Sequence, residues 1–366
     1  MKKLMISATA LALLGLPALA NDLAGKSWDE IVAQARTEGE VTWYVWHLQD
    51  ALREAVKPFE AEYGIKVTIA EGTIGGHFDK VLADRMRKTG DVDVHALGFD
   101  RYEGMDLAGL YIPLDILPPD SGRAYEVTGV SGQGHAVAYW GNQSGIAYDP
   151  AKVDETDLPQ NAAEFAEFWA ANPGKFGFNY ENGGAGPSFY TNVIVNLGGW
   201  DRADGTEDVN RLMALEPAMA FFRDNGPNYV ITASNADSIT RLSDGELVMV
   251  SAWEDHLAGL QQRGEVRKDL KFYVPEMGMN GGGNGVGIPL NAPHPAAAAV
   301  FVNWLASAET QSMFNATFGT VPMNAAADSS KALVSPEDRA NQVAAPARPF
   351  RDSVEAYFIE NVILER

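Results

Sequence analysis

At 366 residues, with 46% hydrophobic and 21% charged residues, the chain has the size and mixture of a globular protein of two domains. A formal charge of -21 excludes nucleic acid and anionic membrane as natural partners, because neither offers an acidic surface anything to bind. The absence of cysteine excludes thiol catalysis, Cys-ligated zinc and a lipid-modified N-terminal cysteine.

The first twenty residues read as a cleavable secretory signal. Lys2 and Lys3 form a basic start, Met5 to Leu16 a short apolar core, and Ala18-Leu19-Ala20 a small-x-small cleavage site. That apolar run is too short to span a bilayer. The expectation is a periplasmic, non-lipidated protein.

Helix and strand then alternate. Ser27 and Glu30 make a capping box ahead of Ile31, Val32 and Ala35, and Gly39 stops that helix. A strand is predicted at 41–46. A helix over 50–62 carries Leu52, Ala55, Val56 and Phe59 on one face, and a second strand falls at 66–70. The stretch "AEGTIGGHFDKV" (70–81) reads as a glycine loop entering a helix near His77, continued by Phe78, Val81, Leu82 and Met86. A third strand is predicted at 93–97. Residues 111–135 lack periodicity, and 135–150 read as one long extended segment. Helices are predicted at 161–171, 187–197 and 209–224, strands at 246–250 and 270–274, and helices at 295–306 and 309–317. "GGGNGVG" is followed by a strand rather than a helix, so it reads as a loop entering the strand at 283–290 and not as a dinucleotide fingerprint. The alternation implies an α/β fold, with parallel sheets covered by helices on both faces.

Ligands of open parallel sheets sit beyond the carboxyl ends of strands. Those ends deliver Trp46 and His47, Glu71 and Thr73, and Asp100 and Arg101. They also deliver Trp140 and Asn142 in the extended segment, and Trp253 with Glu254 and Asp255. The amides of Gly75 and Gly76 join Glu71 and Thr73 as possible ligand contacts. Aromatic planes with acids suit hydroxyl-rich or cationic solutes. Helix starts near Thr73 and Pro187 could instead donate amides to an anion. The six histidines show no zinc spacing, and neither a phosphate-binding P-loop nor a G-x-S-x-G elbow occurs. No metal, cofactor or catalytic residue is expected. An exported enzyme using Glu254 and Asp255 as acid and base is the alternative of another class.

Taken together, "VTWYVWH", "FEAEYGIKVTIAEG", "DVHALGFDRYEGMDLAGLYIPLD", "GIAYDPAKV", "GELVMVSAW" and "NGVGIPLNAPHPAAAAVFVNWLASAETQSMFNATFGTVPMN" resemble, in order and spacing, the exported solute-binding proteins of ABC importers. That bacterial family includes maltose-, glycerol-phosphate-, iron- and polyamine-binding members. The resemblance implies a two-lobe type II periplasmic-binding fold that closes on a solute like a hinged clamp. It places lobe one at 21–140 plus 275–320 and lobe two at 141–274 plus 321–366. It implies a small-molecule solute, an inner-membrane ABC permease as partner, a monomer and no enzymatic activity. Matched to sugar-binding members, it makes Asp100, Arg101, Ser188, Tyr190 and Trp253 ligand contacts. Trp46-His47-Leu48 departs from those members, which argues against a maltodextrin. The tyrosine pair of iron-binding members is not found. "ANPGKFGFNY" (171–180) resembles a branch linked to thiamine and similar small organics. Sugar or polyol leads as ligand, ahead of a cationic organic and of a phosphorylated or carboxylated solute.

Overall fold

The structure is a computed structural model and describes residues 23–180 and 183–365. The expected signal segment lies outside the described residues. In chain order the strands are β1 (Glu40–Tyr44), β2 (Lys66–Ile69), β3 (Val94–Gly98), β4 (Glu126–Val127), β5 (Val130–Ser131), β6 (Val137–Tyr148), β7 (Phe176–Phe178), β8 (Tyr229–Ile231), β9 (Met249–Trp253), β10 (Lys271–Tyr273), β11 (Met279–Gly287) and β12 (Gln342–Val343). Ten of them form one mixed sheet with the path β2-β1-β3-β11-β6-β9-β7-β8; β10 pairs with β6 and β12 with β11. β1, β2 and β3 run parallel, as do β7, β8 and β9. β11 and β6 are antiparallel to their main neighbours.

Two large hydrophobic cores flank the sheet. One gathers Trp43, Phe59, Tyr139, Phe301 and Phe314, with the helices Trp28–Glu38 and Pro295–Leu305 packed over it. The other gathers Phe165, Trp169, Phe176, Phe189, Phe222 and Phe358. Each fully buried large side chain contributes about 1.5–3 kcal/mol of hydrophobic stabilisation. β6 runs from one core to the other. Its first half pairs with β11, and its second half with β9 and β10.

Several local differences from the sequence reading have plain causes. The helix expected at 50–62 is two helices, Gln49–Ala55 and Lys57–Tyr63, because Pro58 opens the second. Pro217 divides 209–224 in the same way, into Val209–Ala214 and Glu216–Asn225. The strand placed at 246–250 lies at Met249–Trp253, so Trp253 ends it. The helix after the glycine loop starts at Ile74, where Thr73 accepts from the Gly76 amide. It stops at Asp84, which leaves Met86 87% exposed instead of on the apolar stripe.

The glycine run is strand and not loop. A Cβ at Gly285 would lie 2.6 Å from the Phe99 ring, and one at Gly287 would lie 2.8 Å from Tyr111. Glycine is there so that buried rings can touch the β11 backbone. The unpatterned region 111–135 contains the β4–β5 ribbon, turned by Thr128 (φ 49) and Gly129 (φ 84).

Candidate ligand cleft

Along β6 every residue is buried except Asn142, and along β11 every residue is buried except Gly282. These two are partners in the ladder, so they face the same way. They form the floor of a cleft of about 870 Å³, part of it open to solvent. A Cβ on Gly282 would meet nothing within 4 Å, so this one glycine of the run faces open space.

The walls come from strand ends on both sides of the crossing. β1 delivers Trp46 and His47, and Leu48 turns the chain away in a left-handed conformation (φ 49, ψ 32). β3 delivers Asp100 and Arg101 through a 3-10 turn. β9 delivers Trp253, followed by Asp255 and His256 at the start of helix Glu254–Arg263. Arg348 precedes, and Arg351 lies in, the C-terminal helix Phe350–Phe358. Trp46 and Trp253 are both half-buried and both approach Gly183. The Trp253 indole N–H donates to the Gly183 carbonyl at 3.1 Å, and a Cβ on Gly183 would lie 3.8 Å from the Trp46 indole nitrogen.

His47 is buried, and burial pushes its pKa down to about 4, so it is neutral at physiological pH. Its Nε2 lies 3.2 Å from the Asn284 Nδ2 donor and 3.0 Å from the Tyr139 hydroxyl. Accepting there places the proton on Nδ1, a buried donor without a partner. Asp255 accepts from the Trp140 indole at 2.8 Å and from its neighbour's amide, that of His256, at 3.0 Å. Burial raises its carboxyl pKa, but His256, His47 and Trp140 reverse this and hold it below the usual range.

Arg351 Nη1 donates to Asp100 Oδ2 at 3.1 Å, and its Nε donates to Glu355 at 2.6 Å. Arg348 pairs with Asp352 along the same chain segment. Burial opposes ionisation of Asp100, but Arg351, Arg348 and Arg101 outweigh it and hold the carboxyl below its ordinary pKa. Burial, then Arg351 and Arg101, lower the Arg348 pKa to about 10.

Of the residues singled out from sequence, Trp46, His47, Asp100, Arg101, Asn142, Trp253 and Asp255 line this cleft. The others are placed elsewhere. Trp140 is fully buried against Phe314 and Phe318. Glu71 is exposed and pairs with Arg53; Thr73 caps its helix with the Gly76 amide, and Gly75 stays on the outer turn. Only Ile74 of that loop reaches the cleft. Tyr190 is stacked on Phe358 at 4.0 Å inside the second core. Ser188 is buried and accepts from the Asn280 amide at 3.1 Å, which ties its helix to β11 beneath the cleft. Glu254 is fully buried and accepts two bonds from Arg339, at 2.9 and 3.2 Å, besides a backbone bond from Val334.

The helix starts suggested as anion sites are occupied from within. At the second, Asn235 takes the Ala185 amide and Asn179 the Gly186 amide. Sequence reasoning missed Arg348, Arg351, Asn280, Asn284 and Gly282 as cleft residues. An i, i+4, i+8 apolar spacing in 350–358 (Phe350, Val354, Phe358) was the available signal for the helix that carries Arg351. Among the described residues no group of three or more His, Asp or Glu is arranged to hold a metal, and no helix is long and apolar enough to cross a membrane.

Residues 54–341 match the profile of the bacterial extracellular solute-binding protein family. Solved structures share the fold at low identity. The spermidine/putrescine ABC transporter substrate-binding protein PotD of Streptococcus pneumoniae matches with TM-score 0.64 and 16% identity, over 89% of this chain and 98% of that one. Iron-bound HitA of Pseudomonas aeruginosa matches with TM-score 0.65 and 19% identity, over 88% and 99%. AfuA of Actinobacillus pleuropneumoniae, with fructose-6-phosphate bound, matches with TM-score 0.64 and 17% identity, over 89% and 99%. No curated protein sequence matches significantly. The chain belongs to the bacterial extracellular solute-binding protein family, with a type II periplasmic-binding fold. Members of this family are substrate-binding components of ABC transporters that deliver small molecules to a membrane permease.

Proposed function

We propose that this protein captures a small polar organic solute in the cleft above Asn142 and Gly282 and presents it to an inner-membrane ABC permease from the periplasm. The observation that carries this reading is the floor itself. The two crossing strands are buried along their length except where these partners face one open space. Trp46, His47, Asp100 and Arg101 belong to one side of the crossing, and Trp253, Arg348 and Arg351 to the other. We place lobe one at 21–140 plus 275–320 and lobe two at 141–274 plus 321–366; the two separate hydrophobic cores support this division. A solute touching both walls favours the closed arrangement by its differential contacts, and the permease reads that arrangement. The protein acts as a monomer, exported by its first twenty residues.

A catalytic reading has little support. Glu254 and Asp255 would be its acid and base, but Arg339 holds Glu254 outside the cleft lining, and Asp255, though in the lining, already accepts from the Trp140 indole and the His256 amide. Thermal unfolding of the purified mature chain against sugars, polyamines, carboxylates and organic phosphates tests the binding function. At least one solute should raise Tm saturably in the wild type and fail to do so in Trp253→Ala. Equal shifts in both proteins would refute the cleft as the site.

A further inference from the structure

The chain carries 28 basic against 49 acidic residues, yet three arginines converge on one end of the cleft. Arg101 comes from the turn after β3, and Arg348 and Arg351 from the C-terminal segment. The acids that accompany them are unevenly placed. Glu355 and Asp352 hold Arg351 and Arg348 from positions four residues along the same segment, and neither lines the cleft. Asp100 is the one carboxylate that faces the cleft beside these arginines.

Donors exceed acceptors there. Asp100 Oδ2 already accepts from Arg351 at 3.1 Å, and Arg348 Nε lies 4.0 Å from that same oxygen, beyond hydrogen-bond reach. Arg348 Nε is buried and has no hydrogen-bond partner. An unsatisfied buried donor of this kind costs about 1–3 kcal/mol, and more when charged. In the wall of the same cleft, His47 is more than nine-tenths buried, and its Nδ1 is a second donor left without an acceptor. Buried donors are nearly always satisfied in a native protein, so two of them around one cleft point to a partner that supplies acceptor oxygens. A cationic solute would meet guanidinium groups here. A neutral polyol would offer these donors only uncharged hydroxyl oxygens, which accept less strongly than an oxyanion.

Resting on the solute-binding reading above, we infer that the solute carries an oxyanion, a carboxylate or a phosphate, seated on Arg348 and Arg351 beside Arg101, with its remaining body toward Trp46 and Trp253. The oxyanion accepts from Arg348 and competes with Asp100 for Arg351. Arginine suits this role because its planar fork presents paired N–H groups to such oxygens.

The test uses inorganic phosphate and acetate as probes, with chloride at matched ionic strength as reference, read by Tm and by indole fluorescence. Wild type should show a saturable shift with phosphate, acetate or both. Half-saturation should be weakened about tenfold or more in Arg348→Gln and partly restored in Arg348→Lys. Near-UV circular dichroism verifies that the variants are folded. A phosphate-only response assigns a phosphorylated solute, an acetate-only response a carboxylated one, and a response to both an oxyanion site without selection. Shifts identical in wild type and Arg348→Gln, or no shift with either anion, overturn the inference. If sugars or polyamines then still give a Trp253-dependent shift, the solute-binding reading survives without the oxyanion. If they do not, both fall.

Discussion

Arg351 and Asp100 are 251 residues apart in sequence, yet their side chains share a hydrogen bond of 3.1 Å at the edge of the cleft. This contact ties the end of β3 to the C-terminal helix, and so joins the two sides of the crossing. It also sets an internal carboxylate against any incoming anion. Asp100→Asn removes that competition. A charge-assisted hydrogen bond is worth about 1.5–3 kcal/mol, so phosphate should bind Asp100→Asn about tenfold more tightly than wild type. Titration of the Tm shift measures this. Weaker phosphate binding in Asp100→Asn would show that Asp100 organises the arginines rather than competing for them.

Gly282 and Gly285 are three residues apart in β11 and should respond in opposite ways. Gly282 has open space where a side chain would go, and a glycine inside a strand is itself destabilising by about 0.5–1 kcal/mol. Gly282→Leu should therefore keep or raise Tm while filling the cleft. Gly285→Ala would press a methyl to within 2.6 Å of the Phe99 ring and should lower stability by about 1–3 kcal/mol. Chemical denaturation of the two variants checks the contrast; similar losses in both would mean that Gly282 is packed in solution.

Much of the fold was legible because it is written in short-range patterns. The Ser27–Glu30 capping box and the long extended segment around β6 follow from local spacing and are present, and Pro187 lies in the first turn of its helix, which begins two residues earlier at Ala185. The glycine run was misread because its cause is not local. Gly285 and Gly287 answer to Phe99 and Tyr111, which come from distant segments. The site was half legible for the same reason. Strand ends indicated Trp46, His47, Asp100, Arg101 and Trp253, since β-strand ends point at clefts as a class. Whether such a residue turns inward depends on its partners. Glu254 and Asp255 are adjacent at one strand end, but Arg339 takes the first, while the second lines the cleft. Arg348 and Arg351 were invisible because the tail that carries them reaches the cleft only through the packing of Phe350 and Phe358.

His47 and His95 give the protein a definite acid sensitivity. Burial holds them neutral, lowering their pKa to about 4 and about 3. The unfolded chain titrates its histidines near 6.5, so between that value and 4 it binds more protons than the folded chain. Stability is present above pH 6.5 and falls as pH drops through this window, by up to about 3 kcal/mol for His47 alone. The slope of stability against pH between 4.5 and 6.5 should flatten in His47→Gln. An unchanged slope would mean that His47 is protonated in the folded state.

Glu254 and Arg339 form a structural pair and should behave as one. Burial raises the Glu254 pKa to about 8 against the pull of Arg339. Arg339→Met leaves the carboxyl buried without its partner and should cost about 2–4 kcal/mol, the loss growing as pH rises through about 8, where the wild-type carboxyl ionises against Arg339 and the variant's stays protonated. Glu254→Gln should leave solute binding intact, measured by the Tm shift. Loss of binding in a folded Glu254→Gln protein would bring Glu254 back into the site.

The most direct test of the central claim is equilibrium binding of whichever solute stabilises the wild-type protein, measured by calorimetric titration in wild type and in Gly282→Leu. A cleft floored by Asn142 and Gly282 predicts stoichiometric binding in the wild type and a loss of at least about a hundredfold in the variant, with its unfolding temperature preserved. Undiminished binding in a folded Gly282→Leu protein would contradict the account, because the solute would then be held somewhere other than above the crossing strands.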